Sequence, residues 1–174
     1  MTIRALVAAL GLTALLVVLS ACGSPSEAAS PTEGQAQPMQ ADTVQAKDLW
    51  VKAVDSGMSA GFGTLTNTGS SDVVLTSAAS IISSDMELHV TGPDEDGQMV
   101  MSPQEGGFII APGDTLVLEP GGDHIMFMDV REPVGPGDTV DLTLTFEDGS
   151  AVDVTAPAKD FTGGDEEYVP GTHE

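Results

Sequence analysis

Short turn sequences at regular intervals constrain the fold of this chain more than any other feature. Each combines glycine with asparagine, aspartate or proline, and each separates two runs of apolar or β-branched residues. The turn sequences lie at residues 67–69, 93–97, 111–114, 120–123, 135–138 and 147–149. Turns at this spacing are typical of antiparallel sandwiches and barrels, so we predict an all-β fold.

The runs between these turns have the length and residue types of β-strands. Apolar and polar residues alternate strictly over residues 139–146, so one face of that strand would be buried. Asp148 and Gly149 then predict a hairpin turn into the run 151–154. Residues 43–54 are compatible with a short helix. Further strands are predicted within residues 61–69, 72–82, 86–91, 98–102, 115–118 and 124–130.

The first 21 residues have the pattern of an export signal. Arg4 precedes an apolar run over residues 5–19, and small residues lead to Cys22. The sequence Leu-Ser-Ala-Cys looks like a bacterial lipobox, in which the cysteine is lipidated and becomes the mature N-terminus. The alternative, a transmembrane helix, is less favoured because a span needs about 20 apolar residues. We therefore expect an extracytoplasmic protein that is lipid-anchored to the bacterial cell membrane.

Composition divides the rest of the chain into three parts. Residues 22–42 contain the lipidated cysteine and a flexible linker rich in Ser, Pro, Gln, Ala and Gly. Residues 43–158 have the size of a single domain. Residues 159–174 are predicted to be a disordered acidic tail.

Cys22 is the only cysteine, so no internal disulfide can form and no thiolate remains once the sulfur is lipidated.

Strong acidity excludes one class of partner. The chain has 27 acidic residues, and only four basic ones remain after removal of the signal. Nucleic acid is not expected to bind, because such binding depends on Lys and Arg neutralising phosphates. The Ser and His residues lack the context of a catalytic triad, and no nucleophile has an adjacent base, so we do not expect an enzyme.

Histidine and methionine form the most distinctive pattern. His124, Met126 and Met128 occupy alternate positions of one predicted strand, and Met99 and Met101 do the same on another. Residues two apart in a strand share a face. A hairpin between residues 86–91 and 98–102 would also bring His89 near these methionines.

Such a donor set favours copper over other metals. Thioethers select Cu(I) and imidazole suits copper generally, whereas structural zinc sites prefer cysteine and Ca²⁺ or Mg²⁺ prefer oxygen. A blue-copper electron carrier is disfavoured because it requires a cysteine thiolate. One alternative stays open: methionine is a common core filler, in which case the chain would be a copper-free binding or interaction lipoprotein.

The domain resembles the periplasmic copper chaperones called PCu(A)C over almost its whole length. The segments that carry the resemblance are Trp50-Val51-Lys52-Ala53, residues 63–69, Met86-Glu87-Leu88-His89, Met99-Val100-Met101-Ser102-Pro103, residues 120–128 and residues 142–149. The family motif is a His, a Met about ten residues later and a His-x-Met about twenty residues after that.

This resemblance implies a cupredoxin-like antiparallel β-sandwich that binds Cu(I). Carried over position by position, the ligands fall on His89, Met101, His124 and Met126. The resemblance also implies delivery of copper toward the CuA subunit of cytochrome oxidase, often alongside a Sco-type thiol protein. Because two imidazoles and two thioethers are neutral donors that suit Cu(I), we expect the transfer to occur by ligand exchange. We expect a monomer.

Some positions depart from the family pattern or extend it. Eleven residues separate His89 from Met101, one more than usual, and Asp123 stands where the family often has an aromatic residue. Met99 and Met128 resemble family positions of lesser or structural role. His173 in the tail offers a weak Cu(II) site, since some family members have His- and Met-rich tails.

Overall fold

The computed structural model describes residues 38–163 and 167–170. The predicted signal peptide, the lipidation site Cys22, most of the predicted linker and His173 lie outside these residues. No helix within the described ranges is long and apolar enough to span a membrane.

The described chain consists of strands with one short helix. The elements are α1 (Gln40–Thr43), β1 (Val44–Lys52), β2 (Gly57–Asn67), β3 (Val73–Ala79), β4 (Met86–Pro93), β5 (Met99–Pro103), β6 (Phe108–Ile110), β7 (Thr115–Leu118), β8 (His124–Val130), β9 (Thr139–Phe146), β10 (Ala151–Lys159) and β11 (Glu167–Tyr168). The prediction of an all-β fold is therefore confirmed.

Hydrogen bonding links the strands in the order β11–β5–β4–β8–β2–β1–β10–β9–β3–β6, with β7 also paired to β2. Most neighbouring strands are antiparallel, and the β1–β10 and β11–β5 pairs are parallel. The strands fold into two packed layers, because buried side chains of β2, β4, β7 and β8 form one core cluster with those of β3, β6 and β9. This arrangement is the predicted β-sandwich.

The hairpin of β9 and β10 shows how the local sequence sets the register. Val140, Leu142, Leu144 and Phe146 are buried, while the residues between them are more exposed, as the alternation predicts. Gly149 turns the chain with a φ of 79°, a conformation that favours glycine. Ala151 then pairs with Thr145 on the opposite strand.

Two groups of buried apolar side chains fill the space between the layers. The larger group includes Leu88 of β4 and Ile125 of β8. The second includes Val51 of β1 and Phe127 of β8. Because these residues of β4 and β8 face the core, the residues on either side of them in each strand face away from it. This outward face carries the predicted metal ligands.

The structure differs from the sequence analysis at both ends of the domain. Residues 44–52 form β1 rather than a helix, and the short helix Gln40–Thr43 precedes it, spanning the end of the predicted linker at residue 42. This helix is held by the β9–β10 turn, where Asp148 accepts a hydrogen bond from the backbone N–H of Gln40 at 2.8 Å. In the predicted disordered tail, Glu167–Tyr168 form β11, because the free edge of β5 offers backbone partners.

Candidate metal centre

His89 and His124 lie directly opposite each other on β4 and β8. They are register partners in the antiparallel pair, and their ring centroids are 5.4 Å apart at an angle of 71°. His89 is 0% exposed and His124 is 3% exposed. Two sequence-distant histidines therefore form an adjacent, buried pair on the outward face of the sheet.

Met126 and Met101 lie on the same face as this pair. Met126 is opposite Glu87 on β4, and Met101 is opposite Thr91 through the β4–β5 pairing. Glu87 and Thr91 are each two residues from His89, so their partners share its face. Both methionines are buried, with 4% of Met126 and 5% of Met101 exposed.

The two methionines stand on opposite sides of the histidine pair. They are two strands apart, and their partners on β4 are four residues apart. In a flat sheet this would separate their Cα atoms by roughly 16 Å, from strand spacings of about 4.8 Å and rises of about 3.3 Å. Met101 and Met126 thus belong to different sides of the imidazole pair along the sheet.

The remaining methionines of these strands are less enclosed. Met99 is half exposed at the start of β5, opposite Pro93. Met128 is half-buried in β8, within a register irregularity between Phe127 and Val130. Neither residue is as buried as Met101 and Met126.

Hydrogen bonds determine which nitrogen of each imidazole carries its proton. Nε2 of His89 lies 2.6 Å from Oε2 of Glu87, and Nδ1 of His124 lies 2.9 Å from the carbonyl oxygen of Gly122. A carboxylate and a carbonyl only accept hydrogen bonds, so both of these nitrogens are N–H donors. In the neutral rings, the lone pairs are on Nδ1 of His89 and Nε2 of His124.

Buried polar atoms without hydrogen-bond partners occur on this face. Among the described residues, Nδ1 of His89 and Oγ1 of Thr91 are both buried and accept or donate no hydrogen bond. Buried polar atoms are normally satisfied, and exceptions call for an explanation such as a missing ion. A soft cation bound at Nδ1 would provide that explanation for His89.

Aromatic rings enclose the histidine pair. Phe62 of β2 lies beside His124, with ring centroids 6.2 Å apart, and Trp50 lies 4.5 Å from Phe62. Phe161 packs edge-on against Trp50 at 5.5 Å. On the other side, Tyr168 stacks on His89 at 5.2 Å and 3°. The apolar surroundings exclude water from the imidazoles.

Two acidic side chains, Glu87 and Asp123, lie next to the histidine pair. Burial raises the pKa of the Asp123 carboxyl, while the adjacent His124 opposes this shift. Burial also raises the pKa of Tyr168, and the neighbouring Glu87 carboxylate adds to this shift. Tyr168 therefore keeps its proton, which its hydroxyl donates to Oε2 of Glu87 at 3.3 Å.

The donor chemistry of the face is restricted. No three His, Cys, Asp or Glu side chains within the described ranges are close enough to hold a metal ion together. Met101 and Met126 on the same face carry thioethers, which are soft ligands that suit Cu(I).

Two residues of this face were absent from the sequence prediction. Glu87 stands two positions before His89, and that spacing places both on the same side of a strand, so the pattern could have indicated it. Tyr168 has no such signal, because its position depends on the pairing of β11 with β5.

Comparison with solved structures shows the same fold in copper-related domains. The copper-bound PCuAC domain from PmoF2 aligns with a TM-score of 0.57 and 16% identity, covering 72% of this chain and 98% of that one. The solution structure of CuI-DR1885 from Deinococcus radiodurans aligns with a TM-score of 0.51 and 24% identity, covering 76% and 86%. The predicted cupredoxin-like fold is therefore confirmed.

Sequence comparison identifies the family. A curated relative, "Putative lipoprotein Lxx21020" of Leifsonia xyli subsp. xyli (strain CTCB07), is 41% identical over 155 residues, which is 89% of this chain and 90% of the relative. Residues 44–158 match the family described as "Putative lipoprotein LpqE-like". The resemblance to PCu(A)C proteins thus holds at the level of the fold, and by sequence the chain belongs to the LpqE-like lipoprotein family.

Proposed function

We propose that this protein is an extracytoplasmic copper carrier, anchored by lipid at Cys22, that binds Cu(I) at His89 and His124. The observation that carries the proposal is the buried, adjacent imidazole pair on a face that also holds two buried methionines. Copper-bound domains of the same fold support it. The lipoprotein family name and that of the curated relative support the lipid anchor.

The proposed ligand set is His89 and His124 with thioethers from Met101 and Met126. Imidazoles and thioethers bring no negative charge to the metal, which favours Cu⁺ over Cu²⁺. Because the methionines stand on opposite sides of the imidazole pair, one of them can leave while the rest of the set still holds the ion. Stepwise release of this kind is what transfer by ligand exchange requires.

The copper acceptor in this proposal is a membrane protein or a protein near the membrane. The CuA subunit of cytochrome oxidase and a Sco-type thiol protein fit, since thiolates are soft ligands that select Cu(I) and imidazole also suits copper. The copper is cargo rather than a cofactor for chemistry, so the proposal includes no enzymatic activity.

Competition titration of Cu(I) against a chromogenic chelator tests this function. We expect one Cu(I) per chain, and we expect His89→Ala with His124→Ala to weaken binding by more than the roughly 10–100-fold typical for loss of an outer-sphere partner. Met39→Leu, an exposed site before α1, is the matched control. X-ray absorption should report both nitrogen and sulfur scatterers. Unchanged affinity in the double variant would refute the site.

A copper-free interaction lipoprotein is the second candidate. The observation that favours it is the near-complete burial of all four proposed ligands, which is also what structural core residues show. It predicts that the purified protein takes up no Cu(I) and that ligand substitutions change only the free energy of unfolding.

A further inference from the structure

Glu87 is an acidic side chain on the same face of β4 as the proposed ligand His89. It is two residues before His89 in β4 and opposite Met126 in β8, so it neighbours proposed ligands on both strands. Its side chain remains 27% exposed, while that of His89 is 0% exposed. The carboxylate thus lies at the edge of the buried site.

The contact between Glu87 and His89 is short and directional. Oε2 of Glu87 accepts from Nε2 of His89 at 2.6 Å and from the hydroxyl of Tyr168 at 3.3 Å. Hydrogen bonds to an ionised acceptor are shorter and roughly twice as strong as neutral ones. The opposite tautomer would set the Nε2 lone pair against the carboxylate oxygen, so it is strongly disfavoured.

The other ring nitrogen of His89, Nδ1, consequently carries the lone pair that can bind a metal ion. Nδ1 is buried and has no hydrogen-bond partner among the described residues. In His124 the order is reversed, because its Nδ1–H is held by the carbonyl of Gly122 at 2.9 Å. That carbonyl belongs to a turn closed by the Gly122 N–H and Glu119 carbonyl at 3.0 Å, so its position is set by the backbone.

We propose that Glu87 is a positioning residue of the copper site, which fixes His89 so that Nδ1 binds Cu(I) while His124 binds through Nε2. The inference rests on the proposed function. Ligating histidines commonly donate their second N–H to a carboxylate or a backbone carbonyl, which fixes the tautomer and the ring orientation. Here His89 donates Nε2–H to a carboxylate, and His124 donates Nδ1–H to a backbone carbonyl.

The tautomers are measurable without metal. In two-bond ¹H–¹⁵N correlation spectra of the ¹⁵N-labelled apo protein, we expect the Nε2–H form for His89 and the Nδ1–H form for His124. On addition of Cu(I) alone, the largest ¹⁵N shift changes should fall on Nδ1 of His89 and Nε2 of His124. An apo His89 in the Nδ1–H form would overturn the inference even if copper binds.

Glu87→Ala removes the acceptor, and Glu87→Gln keeps an oxygen without the charge. We expect Glu87→Ala to give mixed tautomers at His89 and a loss of Cu(I) affinity of about 10–100-fold, with Glu87→Gln in between. The matched control is Glu95→Gln, which removes one exposed charge from the loop after β4. This variant should change neither the tautomer of His89 nor the Cu(I) affinity. Amide dispersion in the same spectra reports folding, and Glu87→Gln provides the test if Glu87→Ala does not fold.

The outcomes separate this inference from the proposed function. If the wild-type protein binds no Cu(I), the function fails while the apo tautomers still test the role of Glu87. If Cu(I) binds but Glu87→Ala and Glu87→Gln leave both the tautomer and the affinity unchanged, the positioning role fails while the function stands.

Discussion

The phenol ring of Tyr168 lies parallel to the imidazole of His89, at an angle of 3° and with the ring centroids 5.2 Å apart. Backbone pairing holds this stack in place, since the N–H of Val169 donates to the carbonyl of Met101 at 2.9 Å. Strand β11 thereby covers His89 from the side of the edge strand β5. Access to the imidazole depends on this two-residue strand.

Tyr168→Ala should expose His89. We expect apo protein carrying this change to react several-fold faster with diethyl pyrocarbonate at His89, as measured by mass spectrometry of the modified peptide. Tyr168→Phe is the matched control, because it keeps the stacked ring and removes only the hydroxyl contact to Glu87. Equal rates in wild type and Tyr168→Ala would mean that another part of the chain protects the imidazole.

The two buried methionines should contribute separately to copper binding. Because Met101 and Met126 stand on opposite sides of the imidazole pair, we expect Met101→Leu and Met126→Leu each to remove one sulfur scatterer from the X-ray absorption spectrum of the Cu(I) protein. Leucine keeps the volume, so the free energy of unfolding should change by less than about 1.5 kcal/mol. Met39→Leu should leave the spectrum unchanged. If the spectrum of one variant still shows two sulfur scatterers, the methionine replaced in that variant does not bind copper and only packs.

Sequence patterns predicted the parts of the site that depend on local periodicity. The alternation of His124 and Met126 places both on one face of a strand, and the turn at residues 93–97 predicts the hairpin that joins β4 to β5. Direct pairing of His89 with His124 could not be predicted without the resemblance, because it depends on which strand lies next to β4. Neighbour order in a sheet is a property of tertiary packing.

The elements at the two ends of the domain, which the sequence patterns did not indicate, depend on tertiary packing in the same way. Residues 44–52 have weak alternation, and β1 is interrupted by an irregularity between Lys47 and Trp50, where Asp48 has a φ of 54°. That irregularity breaks the period of two on which strand prediction relies. The pairing of Tyr168 with Met101 likewise joins residues far apart in sequence, which no local pattern can reveal.

Two consecutive glycines before β6 should respond differently to alanine. Gly106 and Gly107 both have positive φ, at 79° and 83°. A Cβ on Gly106 would meet nothing within 4 Å, whereas one on Gly107 would overlap the backbone carbonyl oxygen of Leu75 in β3. Gly106→Ala should therefore lower the free energy of unfolding only by the strain of a left-handed backbone conformation, about 1–2 kcal/mol.

We expect Gly107→Ala to lower the free energy of unfolding by about 1–3 kcal/mol more than Gly106→Ala does, because the added methyl also forces β3 and β6 apart. Urea denaturation of both variants measures the difference. If the two variants have the same free energy of unfolding, the close approach of residue 107 to β3 is not maintained in solution.

Stability should depend on pH through Asp148, which ties α1 to the β9–β10 turn. Its carboxylate accepts from the Ser150 hydroxyl at 2.5 Å, from the Ser150 N–H at 2.9 Å and from the Gln40 N–H at 2.8 Å. These bonds, the Ser150 hydroxyl first, lower the pKa of Asp148 in the folded protein. A lowered folded-state pKa means that the ionised group stabilises the fold at pH values above its unfolded pKa of about 3.9, and that this contribution is lost as the pH falls through the folded pKa.

Asp148→Asn should accordingly be less stable than wild type at pH 7, and the difference should shrink when urea denaturation is repeated near pH 3. Asn keeps one acceptor oxygen but loses the charge that the three donors stabilise. Exposed Asp72, just before β3, provides the matched control as Asp72→Asn. A stability difference for Asp148→Asn that is equal at both pH values would show that side-chain shape, rather than the charge on the carboxylate, holds α1 against the turn.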